Sequence, residues 1–347
     1  MTGLAIIGYG MWTAAGNDGA ACVAAMQAGV SGSQQVQLWD RTGGALMNGF
    51  QVSAHQWWGG ETFLPEMVLE VLRQCHAQTA KLDLDPAKIP VLICVAPPGR
   101  PGRSDVLEQR LYQALEDQLG TALPAGSGIH PGGRTGIATL LRNAQSQMTD
   151  HPVQILIGVE SFLRQVIIDH YIDQGRLLCT ANSSGFLPGE AAAALIIARG
   201  DAVTTPALRI IGIGEGFEPD EPGDQPAVTG LTTAMRSALK AAKTELFDIS
   251  VVLPDLNGEH RKFKELSVAT IRIDRLPPEN KSRRGQGYMA HWNVVETIGE
   301  VGAALVPAAM GWAFDAGLTG SLPSDKVIFV ASEDDGSRIA IVGEFTR

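Results

Sequence analysis

Gly185-Phe186-Leu187-Pro188-Gly189-Glu190-Ala191-Ala192-Ala193-Ala194-Leu195 is the stretch on which the fold turns. A loop gives way at Ala191 to an unbroken apolar run that continues to Ile197, the pattern of a strand covered on both faces. Glu190 stands at the boundary. A carboxylate buried there needs backbone donors or a cation, so Glu190 reads as structural.

Working outward, the same alternation of apolar strands and amphipathic helices recurs. Leu4-Ala5-Ile6-Ile7 runs into Gly8-Tyr9-Gly10, a buried strand with a glycine-permitted bend, and Asn17 and Gly29 read as the two caps of the helix that follows. Val91–Ala96 is a strand that Pro97-Pro98-Gly99-Arg100-Pro101-Gly102 cannot continue. Ser104–Leu119 and Gly136–Met148 have helical periodicity, and Gln154–Val159 is an apolar strand suited to extending a sheet across two chains. The pattern then restarts, because Leu208-Arg209-Ile210-Ile211-Gly212-Ile213-Gly214 echoes the opening strand. Thr229–Thr244 is a helix, Val251–Leu253 a short strand, and Glu296–Ala313 a helix apolar enough for the centre of the molecule. Lys326–Ser332 and Ile339–Val342 flank a hairpin signal at Asp334-Asp335-Gly336-Ser337. Glu215–Pro226, with five carboxylates, reads as a solvated loop. The expectation is an α/β fold of two duplicated halves, residues 1–204 and 205–347.

The chain has 347 residues, 45% hydrophobic and 18% charged, enough for a large core. Its 27 Lys and Arg against 37 Asp and Glu give a net charge of −10, which argues against nucleic acid as a partner. Cys22, Cys75, Cys94 and Cys179 show neither CxxC pairing nor metal-type spacing, so no metal site is expected and the thiols read as reduced. No signal sequence and no membrane span are read from the chain, which implies a cytoplasmic protein. Gly8-Tyr9-Gly10 and Gly212-Ile213-Gly214 fail the spacing of a dinucleotide-binding turn, so no cofactor is expected.

Several blocks, in order, resemble the β-ketoacyl synthases. Ile6-Ile7-Gly8-Tyr9-Gly10-Met11, Gly16-Asn17-Asp18 and Ala28-Gly29-Val30-Ser31-Gly32 are similar to their opening. Gly158-Val159-Glu160-Ser161 resembles their central strand, and Gly185–Leu195 their glycine–phenylalanine loop and GEGAA-type strand. The resemblance implies a thiolase-like fold: two halves in a five-layer α-β-α-β-α arrangement, forming a dimer along an edge strand of the first half, for which Gln154–Val159 is the candidate.

Members of that family condense acyl chains with a Cys nucleophile, two His and a Lys. The helix dipole stabilises the thiolate, and the His side chains stabilise an enolate. In this sequence the Cys position falls on Gly133, the first His position on or beside Asp255, the Lys position on Val295 and the second His position on Glu300. All four are altered, and His130, His260 and His291 lie several residues out of register. Cys179, in Leu178-Cys179-Thr180-Ala181-Asn182-Ser183-Ser184, is the alternative nucleophile, but it occupies a loop rather than a strand-to-helix elbow and reads first as a structural thiol.

The chain therefore reads as a non-catalytic synthase-like protein that works by binding: a partner subunit of an active synthase, as chain-length-factor-like subunits are, or an adaptor or chaperone. The competing expectation is an active synthase or acyltransferase with relocated chemistry. Residues 260–284 hold eight basic residues against three acidic ones, among them Arg261, Lys262, Lys264, Lys281, Arg283 and Arg284. On an acidic chain this is either a solvated segment or a docking patch for an acidic carrier or cargo protein.

Overall fold

The computed structural model describes residues 3–55, 60–82, 84–219, 227–274 and 289–347. The first half runs β1 (Leu4–Thr13), α1 (Gly19–Ala28), β2 (Gln34–Asp40), β3 (Ala45–Gly49), α2 (Leu64–Thr79), β4 (Val91–Val95), α3 (Leu107–Leu119), β5 (Gly128–Pro131), α4 (Ile137–Gln147), β6 (Val153–Ser161), α5 (Gln165–Asp173) and β7 (Glu190–Arg199). The second runs β8 (Ala207–Phe217), α6 (Gly230–Ala242), β9 (Val251–Pro254), α7 (His260–Asp274), β10 (Ala290–His291), α8 (Val295–Ile298), α9 (Leu305–Thr319), β11 (Lys326–Ser332) and β12 (Ser337–Thr346).

The strand orders are β5-β4-β6-β7-β1 and β10-β9-β11-β12-β8. Each has the same pairing: the first strand is antiparallel to the last, the last antiparallel to the one before it, and the two outer pairs are parallel. β1 and β8, the two runs whose likeness is legible in the sequence, join the sheets through Leu4–Ile6 and Leu208–Ile210.

The period of two along each strand sorts the core into layers. Leu195 and Ile197 of β7, with Phe329 of β11 and Ile341 of β12, face a central cluster that contains Leu140 and Leu141 of α4 and Leu305, Met310 and Phe314 of α9. The alternate residues Ala194 and Ile196 face outward onto α2 and α3. Ile328, Val330, Ala340 and Val342 face α6 and α7. The result is the five-layer arrangement, with α4 and α9 in the middle.

Four readings change. Gln154–Val159 is not an edge: β6 lies between β7 and β4, and its apolar run is apolar because both faces are buried. The edge of that sheet is β5. Asp18, not Asn17, caps α1, its Oδ1 accepting from Ala21 N at 2.9 Å. The helix expected over Glu296–Ala313 is broken after α8 by Gly299, at φ +77, and by a bridge between Pro188 and Glu300. Glu218, expected on a solvated loop, is buried and accepts from Val228 N and Gly230 N at the start of α6.

Candidate functional site

β5 ends at Pro131, and Gly132–Gly136 turn the chain into α4. Gly133 adopts φ +54, a conformation that costs glycine little and other residues more. A Cβ at this position would lie 2.1 Å from Glu333 Oε2. At the elbow a nucleophile's first carbon would therefore collide with a carboxylate. Cys94 lies beneath, its Sγ 3.6 Å from Gly133 O, fully buried with its thiol pushed well up by desolvation.

Glu333 belongs to a buried network of ion pairs that fills this centre. Arg134, the largest fully buried side chain, donates from Nε to Glu300 Oε1 at 2.9 Å and from Nη1 to Glu333 Oε1 at 2.8 Å. Its backbone N donates to Glu333 Oε2 at 2.9 Å. Arg100 donates to Glu160 at 2.7 Å, to Glu333 at 3.1 Å, and to Asp334 and the Tyr171 hydroxyl, each at 3.1 Å. Arg176 and Arg261 close the outer side on Glu259 and Asp334. The backbone completes the arrangement. Gly302 N donates to Glu300 at 3.0 Å and Ala303 N to Glu160 at 2.9 Å. Gly302, at φ +53, has to lack a side chain, since a Cβ there would sit 2.0 Å from the Glu160 carboxylate.

Burial alone would raise the Glu300 carboxyl, but the Arg134 and Lys262 charges and hydrogen bonds from Arg134 and Asn257 outweigh it and hold it down to about 2. Glu259 is likewise raised by burial and brought to about 2 by Arg176 and Arg261. Glu160 goes the other way: desolvation dominates over Arg100 and raises it. Beside the network, Arg100, Glu160 and Arg164 border a cavity of about 20 Å³, room for a water molecule and not for an acyl chain.

No family model matches the chain, and no curated protein matches it by sequence. Solved structures do. The ishigamide ketosynthase/chain length factor superposes with a TM-score of 0.68 at 16% identity, covering 99% of this chain and 100% of that one. A ketosynthase in complex with its chain length factor from Xenorhabdus doucetiae gives 0.73 at 13%, covering 99% and 98%. A type II PKS acyl-carrier protein in complex with its ketosynthase bound to the hexaketide gives 0.76 at 14%, covering 100% of both chains. The chain has the thiolase-like ketosynthase fold.

Within the ketosynthase fold, Gly133 and Glu300 are brought to one centre by Arg134 and Glu333. Asp255 adjoins it through Lys262, whose charge also acts on Glu300, whereas Val295 brings no charge to it. Asp255 is paired with Lys262 and accepts from Ser332 N at 2.8 Å and Ser332 Oγ at 2.9 Å, so its charge is neutralised in place rather than presented to an open cavity. Val295 is buried in the central core. Glu190 is held by Val52 N, His55 and Ser161 Oγ, a structural carboxylate. Cys179 packs against the cluster that contains Tyr171 and takes no part in the described ion pairs of the network. It borders a cleft of about 210 Å³ with Asp40, Met47 and Leu187, and its Sγ accepts from Thr42 Oγ1 at 3.7 Å. Its described contacts include no imidazole or cation to activate it.

The expected basic patch is redistributed. Lys262 is buried against Asp255 and is not on the surface, because an ammonium at that helix position is needed to neutralise the buried carboxylate. Arg261 belongs to the ion network, and Lys264 is half-buried. Lys281, Arg283 and Arg284 lie outside the described residues. Sequence reading missed Arg100, Arg134, Glu160, Glu333 and Asp334 as a unit. Their signal was present only as scattered charged residues: Arg100 in the loop after β4, Arg134 beside the elbow, Glu160 near the end of β6, and Glu333 and Asp334 at the hairpin tip.

Proposed function

We propose that the chain is a non-catalytic ketosynthase-like subunit that acts by binding another protein, with a catalytic ketosynthase as its partner. The observation that carries this reading is the filled centre. Where the family resemblance calls for a nucleophile and two hydrogen-bond donors, the chain has a glycine abutting a carboxylate and a glutamate fixed between Arg134 and Asn257. The centre offers no thiolate, and its guanidinium donors are turned to carboxylates except Arg134 Nη2, which is buried without a partner among the described residues. Paired ketosynthase and chain length factor chains among the similar structures support the choice of partner.

Incubation with acyl- and malonyl-thioesters, followed by intact-mass analysis and product detection, is expected to give no acyl adduct and no condensation product. An adduct on Cys179 accompanied by turnover, both abolished in Cys179→Ala, would overturn the reading in favour of an enzyme with relocated chemistry.

β5 supports the assembly. Among the described residues it pairs with β4 on one side only, and its Gly128, Ile129 and His130 are half-buried in the isolated chain. Pairing of this edge with a second chain extends the sheet and, to be stable, has to bury about 800 Å² per partner. Sedimentation at micromolar concentration is expected to show a dimer, with itself or with a co-expressed ketosynthase. A persistent monomer in both cases counts against it.

A further inference from the structure

The outermost helical layer of the second half is charged unlike the rest of the molecule. α6 carries Arg236 and Lys240 and no acidic residue at all. α7 carries Arg261, Lys262, Lys264 and Arg272 against Glu265 and Asp274. The inward side accounts for the charges that are paired: Lys262 is buried on Asp255, and Glu265 is buried on Arg338 at 2.6 Å. What remains outside is Arg236, Lys240, His260, Lys264 and Arg272, and among the described side chains these two helices expose no carboxylate. Such segregation on a chain of net charge −10 focuses a local positive potential.

The same face carries apolar groups. Phe263 is 45% exposed and Ile271 49%, and with Ser267 between them they follow one line of α7 at four-residue spacing. Their exposure is not a shortage of core, since Leu266 and Ala269 already pack inward against α6. The two helices abut, with Arg236 Nη2 donating to the Arg272 carbonyl at 3.4 Å, which sets Arg236 beside the last turn of α7. Arg272 is fixed there by donating to the carbonyls of Ala227 and Val228, both at 2.8 Å.

We infer that the outward face of α6 and α7 is a docking surface for an acidic amphipathic helix of a partner protein. Leucines of such a helix cover Phe263 and Ile271 while its carboxylates meet Arg236, Lys240, Lys264 and Arg272, an apolar centre with a charged rim. A nucleic acid fits less well. Its affinity scales with the phosphates neutralised, few cations are offered on an acidic chain, and phosphates have nothing to place on the two apolar side chains. The inference rests on the reading that the chain acts by binding, but not on pairing at β5.

The test uses the full chain and three fluorescent probes: a helical peptide with Leu on one face and Glu on the other, its counterpart with Lys for Glu, and a DNA duplex. The Glu peptide is expected to bind, more tightly at low salt than at physiological salt. Charge reversal in Arg236→Glu with Lys264→Glu is expected to weaken it about tenfold, the sum of several rim contacts. Phe263→Ser with Ile271→Ser is expected to weaken it at both salt concentrations, and Lys88→Glu, on another surface, to leave it unchanged. All these sites are at least partly exposed, so folding is retained and is checked by circular dichroism. Equal binding of the Glu and Lys peptides, tighter binding of the DNA, or undiminished binding by the face variants overturns the inference. Sedimentation of the unmutated chain separates the two proposals: a persistent monomer that still binds the Glu peptide would tell against β5 pairing alone.

Discussion

Gly133→Cys is expected to destabilise the protein and to create no condensing activity. Two costs add. The left-handed backbone costs a side-chain-bearing residue about 1–2 kcal/mol. The new Cβ would fall 2.1 Å from Glu333 Oε2, and relieving that overlap in a packed centre costs about 1–3 kcal/mol more. Glu333 has little room to retreat, because its carboxylate is already held by Arg100, by Arg134 and by the Arg134 backbone N. Gly133→Ala carries the same steric load and is expected to lose similar stability, which separates packing from thiol chemistry. Urea unfolding measures the loss, and intact-mass analysis with acyl-thioesters measures any acylation. A Gly133→Cys variant as stable as the parent, or one that acylates and turns over, would show that the centre is open and that the binding-protein reading is wrong.

The sequence and the structure agree where the physics is local. The continuous apolar run Ala191–Ile197 has to be a strand covered on both faces, and β7 lies between β6 and β1. The echo of Leu4–Gly10 in Leu208–Gly214 marks the two strands that join the halves. Agreement ends where identity depends on distant neighbours. An apolar strand looks the same whether its backbone edge is free or paired, so Gln154–Val159 passed for an edge that β5 supplies. Arg134 and Glu333 are 199 positions apart in the chain and Arg100 and Glu333 233 apart, and no periodicity links them. The absence of a nucleophile at Gly133 was therefore legible, whereas its replacement by an ion network was not. For the same reason the pairing of Asp255 was not legible: its neutralising Lys262 stands seven residues on, in a run that reads as a solvated segment or a docking patch.

That network also sets the largest stability effect. Arg134→Ala is expected to cost about 3–5 kcal/mol at neutral pH, because it strands Glu300 and Glu333 as buried carboxylates without their shared cation. The pH dependence separates this from simple loss of packing. Glu300 and Glu259 sit at about 2 in the folded chain, and Asp334 is held below its usual range by Arg134, Arg176 and Arg100 against the opposing effect of burial. An unfolded glutamate titrates near ~4.3, so these groups contribute stability that is complete above that value and lost as pH falls towards about 2. Glu160, raised by burial, has the opposite sign and gives up stability as pH rises through the ordinary carboxylate range, which offsets part of the gain. In Arg134→Ala the Glu300 share is removed, so the gap between parent and variant is widest at neutral pH and narrows as Glu300 becomes protonated. Arg134→Lys keeps the charge but loses the fork that spans Glu300 and Glu333, and it is expected to fall between the two. Urea unfolding at pH 7 and near pH 3 measures the gap. A gap that is small at pH 7, or that does not narrow in acid, would mean that Arg134 is not what holds the carboxylates in place and that the centre does not owe its closed state to these ion pairs.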